Sequence, residues 1–139
     1  MMKNNELIEK MVDAFIEEGT NELFATLVEA LIDTEVILIN NDLDGTNLKK
    51  FGEGAITPLV ITDSQKKNYI PLFTRSEQII NDEIKKKPRV NYVFKDLCND
   101  SIIKSDYLEG YVLNPFTQGL KLPKELINIV IKYNKENVQ

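Results

Sequence analysis

The strongest constraint on the fold is a change of hydrophobic period near residue 35. Leu7, Ile8, Met11, Val12, Phe15 and Ile16 recur at the three-and-four spacing of an amphipathic helix, and the spacing returns in Leu23, Phe24, Leu27, Val28, Leu31 and Ile32. Gly19 between them suits the left-handed residue that ends one helix, and Thr20 or Asn21 suits the cap of the next. Val36-Ile37-Leu38-Ile39 then breaks the pattern with an unbroken, β-branched run too short for a helix. Two helices thus lead into a strand that is apolar on both faces, which predicts a central position in a covered sheet.

Asn40 to Ala55 is polar and glycine-bearing and reads as the longest irregular excursion of the chain. Leu59–Thr62 and Tyr69–Phe73 flank the polar stretch Asp63–Asn68 as the arms of a β-hairpin. Pro71 lacks an amide hydrogen, which directs its strand towards an edge or a bulge. Thr74-Arg75-Ser76-Glu77 has the pattern of a capping box and predicts a helix carrying Ile79, Ile80 and Ile84 inward. Pro88 ends it, and Lys85, Lys86 and Lys87 lie where cations complement exposed helix carbonyls.

Val90–Val93 alternates like a strand, and Phe94, Leu97 and Cys98 form a short helical turn. Gly110–Leu113 is a further strand, closed by Asn114-Pro115. Pro123 opens a last helix whose buried face is Leu126, Ile127, Val130 and Ile131. The sum is an α+β fold, a mixed, mostly antiparallel sheet of about four or five strands with two N-terminal helices and one C-terminal helix. At 139 residues, positions 1–139 form one domain.

The chain contains no histidine, which removes the usual general base near neutral pH and the commonest metal ligand. No serine and lysine stand in the spacing that activates a nucleophile. The net charge of −5 opposes attraction to nucleic acid phosphates. The single cysteine, Cys98, allows no internal disulfide and reads as a small buried apolar residue. No apolar window reaches the length of a membrane span and the first residues lack a signal-peptide core, so the expected place is the cytoplasm.

Asn40-Asn41-Asp42-Leu43-Asp44-Gly45 has oxygen ligands at the alternate positions that open a calcium loop, but Phe51 stands where the closing glutamate belongs. Gly52-Glu53-Gly54 lacks the remainder of a phosphate loop and reads as a turn. Glu17-Glu18 and Asp82-Glu83 are solvated helix positions, with neighbours diverging and not facing one another. Neither metal nor cofactor is expected.

Tyr69-Ile70-Pro71-Leu72-Phe73-Thr74-Arg75-Ser76-Glu77 and Gly110-Tyr111-Val112-Leu113-Asn114-Pro115 resemble, in order and spacing, the two signatures of the SseB N-terminal domain family. Leu23–Ile39 and Pro123–Tyr133 are similar to its opening helix-strand and closing helix, so the resemblance spans roughly residues 20 to 134. An additional first helix, the long Asn40–Ala55 excursion and the absence of the longer members' C-terminal domain set this chain apart. The resemblance implies no enzymatic activity and no cofactor.

Phe73, Thr74, Glu77, Asn114 and Pro115 have structural roles available in strand ends, caps and turns, and a shared surface is the functional alternative. That surface requires the Thr74 and Asn114 segments to meet at one end of the sheet. Asp42 and Asp44 join it as candidate contact residues of the long loop. The expected activity is non-catalytic binding of another protein, with no nucleic acid and no membrane partner. The alternative is an acidic immunity or inhibitor protein that neutralises a toxin or other basic partner, and a third reading is a small-molecule or metal-binding enzyme that uses carboxylates and lysines alone.

Overall fold

The computed structural model describes residues 4–40, 49–51, 54–56, 58–99 and 106–137. Helix α1 (Asn4–Glu18) ends at Gly19, whose φ of 65° is the left-handed conformation that its missing Cβ permits. Helix α2 (Asn21–Ile32) is capped by Thr20, whose hydroxyl accepts from the Leu23 amide at 3.2 Å. Strand β1 (Glu35–Ile39) follows at once. The remaining strands are β2 (Lys49–Phe51), β3 (Gly54–Ile56), β4 (Ile61–Thr62), β5 (Asn68–Phe73), β6 (Arg89–Val93), β7 (Gly110–Leu113) and β8 (Leu120–Pro123). Helices α3 (Asp82–Lys85), α4 (Phe94–Cys98) and α5 (Lys124–Asn137) complete the chain.

The main sheet has the order β6-β1-β5-β7-β8, with β4 pairing the first half of β5. Among the described residues β5 and β7 run parallel and the other pairings of this sheet are antiparallel. β2 and β3 form a separate two-stranded ladder.

Alternation along the strands sorts the apolar residues into two layers. Val36, Leu38, Ile70, Leu72, Tyr111 and Leu113 point to one face, where the apolar stripes of α1, α2, α4 and α5 cover them. The Tyr111 hydroxyl, fully buried there, donates to the carbonyl of Leu97 at 2.7 Å, so the aromatic fills the core and leaves no orphan polar group. On the other face Ile39 and Phe73 meet Ile79 and Ile84 in a smaller cluster. β1 is thus covered on both sides, as its unbroken apolar run requires.

Four expectations need correction. Pro71 is buried in a central strand, aligned with Val112 of β7. The β1 register, Ile37 with Phe73 and Leu38 with Leu72, places Ile39 opposite Pro71, and the Ile39 carbonyl instead accepts the amide of Leu59 at 3.0 Å. The missing proline donor therefore falls at the junction where β1 gives way to the β4 segment, and no ladder bond is lost.

The capping box does not form. Thr74 turns its hydroxyl away from the following amides, Ser76–Gln78 is a single 3-10 turn without a side-chain cap, and α3 starts later, capped by Asn81 onto the Ile84 amide at 3.1 Å. Ile79 and Ile84 are buried as expected, whereas Ile80 is exposed. Pro123 does not open α5; it ends β8, opposite Gly110, on an edge strand that tolerates proline. Finally, the Asn40–Ala55 excursion carries part of the β2–β3 ladder, and Asn41 to Leu48 lie outside the described residues.

Candidate functional site

Thr74 follows the last residue of β5, and Asn114 follows the last residue of β7. Because these strands are parallel neighbours, both residues emerge at the same end of the sheet. The Thr74 amide donates to Asn114 Oδ1 at 3.0 Å, and Asn114 Nδ2 donates to Thr74 Oγ1 at 3.1 Å and to Gln118 Oε1 at 2.9 Å. Asn114 holds φ at 49°, a left-handed conformation that its short polar side chain tolerates better than most. Its carbonyl accepts the amides of Thr117, Gln118 and Gly119, so the turn closes on one residue.

Helix α1 supplies the charge. Glu9 accepts from Arg75 in a two-pronged pair, Nε to Oε2 and Nη2 to Oε1, both at 2.8 Å, and its Oε2 also accepts the Thr74 hydroxyl at 2.5 Å. Burial pushes the Glu9 carboxyl up, but the bonds from Arg75 and Thr74 together with the Arg75 charge outweigh it, and its pKa lies below the ordinary carboxylate value. Arg75 is raised in turn, first by its bond to Glu9. Gln118 Nε2 clasps the helix from the other side, donating to the Glu9 carbonyl at 2.8 Å and to Asp13 at 2.6 Å. Asn5 Nδ2 reaches the Glu35 carbonyl at 2.8 Å and that of Thr74.

A second feature lies between α2 and α5. A groove of about 380 Å³ is lined by Phe24, Ala25, Val28, Ile32, Leu126 and Ile129, with Asn21, Glu29 and Val130 completing it. Ile129, one of the lining residues, is 61% exposed. Phe24 also meets Phe15 of α1, ring centroids 4.9 Å apart, which ties the groove to the first helix.

Of the residues singled out from sequence, Thr74 and Asn114 are brought together, and both are buried. Phe73 is fully buried in the smaller cluster, its ring 6.1 Å from Phe116. These three hold the end of the sheet from within. Glu77 is exposed, bonded to Arg75 at 3.2 Å, and lines a shallow hollow of about 330 Å³ with Ile80, Lys85 and Arg89. Pro115 is partly exposed at a smaller hollow of about 180 Å³, where Lys121 pairs with Asp63 at 2.8 Å. Asp42 and Asp44 lie outside the described residues.

Sequence reasoning missed Glu9, Arg75 and Gln118, whose separations of up to 109 residues carry no local signal. It also missed the groove, for which a signal existed. Leu23, Phe24, Ala25, Leu27, Val28, Ala30, Leu31 and Ile32 wrap apolar surface around most of α2, more than one buried face needs. Ile129 likewise departs from the buried phase of α5.

No group of three or more metal-ligating side chains occurs among the described residues, and no helix among them is long and apolar enough to cross a membrane. Comparison with protein-family models, with curated protein sequences and with solved structures finds no match.

Proposed function

We propose that the chain is a non-catalytic protein-interaction module of the kind represented by the SseB N-terminal domain, that it works in the cytoplasm, and that it receives an amphipathic helix of a basic partner in the groove between α2 and α5. The observation that carries this reading is the groove itself, apolar along its floor and flanked by the protruding Ile129. Such grooves take one apolar helix face through residues spaced three and four apart. Glu29 lines it, Glu22 and Glu125 are exposed in the first turns of the same two helices, and the net charge is −5, which together favour cationic residues on the occupant.

The test is affinity purification of the tagged chain from its native cells, comparing wild type, Ile129→Glu and Ile80→Glu. Ile80 is an isoleucine outside the groove that is also exposed, at 52%. A stoichiometric partner retained by Ile80→Glu and lost by Ile129→Glu supports the reading. Retention by Ile129→Glu, with the variant folded by circular dichroism, overturns it.

The same acidity favours a second reading, an immunity or inhibitor protein whose basic partner is a toxin. It differs in requiring very tight binding whose association rate falls steeply with salt.

A further inference from the structure

We infer that the outer edge of β6 is a second docking site, independent of the groove, which adds an extended acidic segment of a partner protein to the sheet as one more antiparallel strand. Among the described residues β6 pairs with β1 alone, and it ends the sheet on that side. Two bonds fix the phase of that ladder. The Asn40 amide donates to the Pro88 carbonyl at 2.9 Å, and the Phe94 amide donates to the Thr34 carbonyl at 3.0 Å. Alternate pairs of an antiparallel ladder exchange both their bonds, so in this phase Val90 and Tyr92 bond Leu38 and Val36. The amides and carbonyls of Arg89 and Asn91 therefore point away from β1, and none of these four groups has a hydrogen-bond partner among the described residues.

The two edges of the sheet differ. β8 carries Lys121 in its middle and Pro123 at its end, both of which discourage a further strand. β6 has no proline and no charge beyond its first residue, and its register with β1 runs unbroken over five pairs, without a bulge to turn the edge aside. What precedes β6 selects the occupant. Lys85, Lys86, Lys87 and Arg89 gather four cations at one end of the strand, in a chain of net charge −5. Lys85 and Lys86 make long pairs of 3.9 Å with the exposed Asp82 and Glu83, whereas Lys87 and Arg89 have no acidic partner among the described residues. Arg89 donates to the Lys85 carbonyl, at 3.4 Å. This charge draws in an acidic segment, and an antiparallel second copy centred on Arg89 would set the two clusters against each other. Arg89 and Asn91 stand opposite Ile39 and Ile37 on the face of the smaller cluster, while Val90 and Tyr92 pack on the main core. A segment with carboxylates at alternate positions places them beside Arg89, and its β-branched residues extend the layer of Val90 and Tyr92.

The test uses the full chain and a fluorescein-labelled synthetic peptide, Thr-Glu-Val-Glu-Val-Glu-Thr, read by fluorescence anisotropy. Saturable binding is expected, weakened roughly tenfold or more when lysine replaces each glutamate. In the register above the glutamate amides face β6 and the others face solvent. Methylating the glutamate amide nitrogens is expected to weaken binding by about tenfold or more, and methylating the valine amides by less than about threefold. Asn91→Pro removes an outward donor without touching a bond to β1, a change that an edge strand tolerates, and is expected to abolish binding in a chain with unchanged circular dichroism. Should that variant fail to fold, the two methylated peptides decide the matter on the wild-type chain. No saturable binding of the acidic peptide, or binding indifferent to which amides are methylated, overturns the proposal. A wild-type dimer that Asn91→Pro dissociates gives the edge to a second copy and overturns it equally.

Discussion

The amide of Thr74 donates to the side-chain oxygen of Asn114 across 3.0 Å and forty residues of sequence, joining the ends of two parallel strands. Around that bond a helix, two strand ends and a turn are tied together by side chains that are nearly all satisfied within the network. A buried network of this kind fixes one arrangement of its elements, because any shift leaves polar groups without partners in a medium where that is costly.

Asn114 is asked for two things, a left-handed backbone and three side-chain bonds. Asn114→Ala loses both and is expected to destabilise the chain by about 2–4 kcal/mol. Asn114→Gly keeps the backbone and loses only the bonds, so it is expected to recover about 1 kcal/mol of that loss. Urea denaturation midpoints of the three proteins give the order directly.

The Glu9 carboxyl titrates below its ordinary value of 4.5 in the folded chain. Its contribution is then complete above the unfolded value and is lost as the pH falls through the lowered folded value. Glu9→Gln is expected to cost about 1–3 kcal/mol at pH 7. Thermal melts of the two proteins are expected to converge only below pH 4.5, as the wild-type carboxyl is protonated.

Gly110 opens β7 where β8 runs closest. A Cβ built there stands 2.2 Å from the Leu122 carbonyl oxygen, a backbone atom that cannot move aside. Gly110→Ala is expected to cost about 3 kcal/mol or more by forcing β8 from its register, read from the loss of cooperative unfolding or a large fall in midpoint.

Cys98 is fully buried and its thiol is pushed up to about 12 by burial. The native chain is expected to resist a thiol-specific reagent at pH 8 and to react at once in denaturant. Fast native labelling would place α4 away from the core.

Much of the fold was legible wherever a residue's role depends on its neighbours in sequence. The stripes of α1 and α2, the Thr20 cap, the unbroken run of β1 and the buried face of α5 all belong to this class. Errors came where a distant partner outbid a local one. Thr74 had the spacing to cap its own helix, yet Glu9 and Asn114 offered its hydroxyl charge-assisted and buried partners. Pro71 looked like an edge residue until the Leu59 amide took the acceptor opposite it. The meeting of the Thr74 and Asn114 segments was read from two local motifs, but nothing local announced that both would lie inside and not at a contact surface.

The central claim is that the groove between α2 and α5 is where the partner sits. A photo-crosslinking amino acid placed at position 129, and in a parallel chain at position 80, tests it in living cells. One discrete adduct from position 129 and none from position 80 is the predicted result. Equal labelling from both positions, or an adduct confined to position 80, would contradict it.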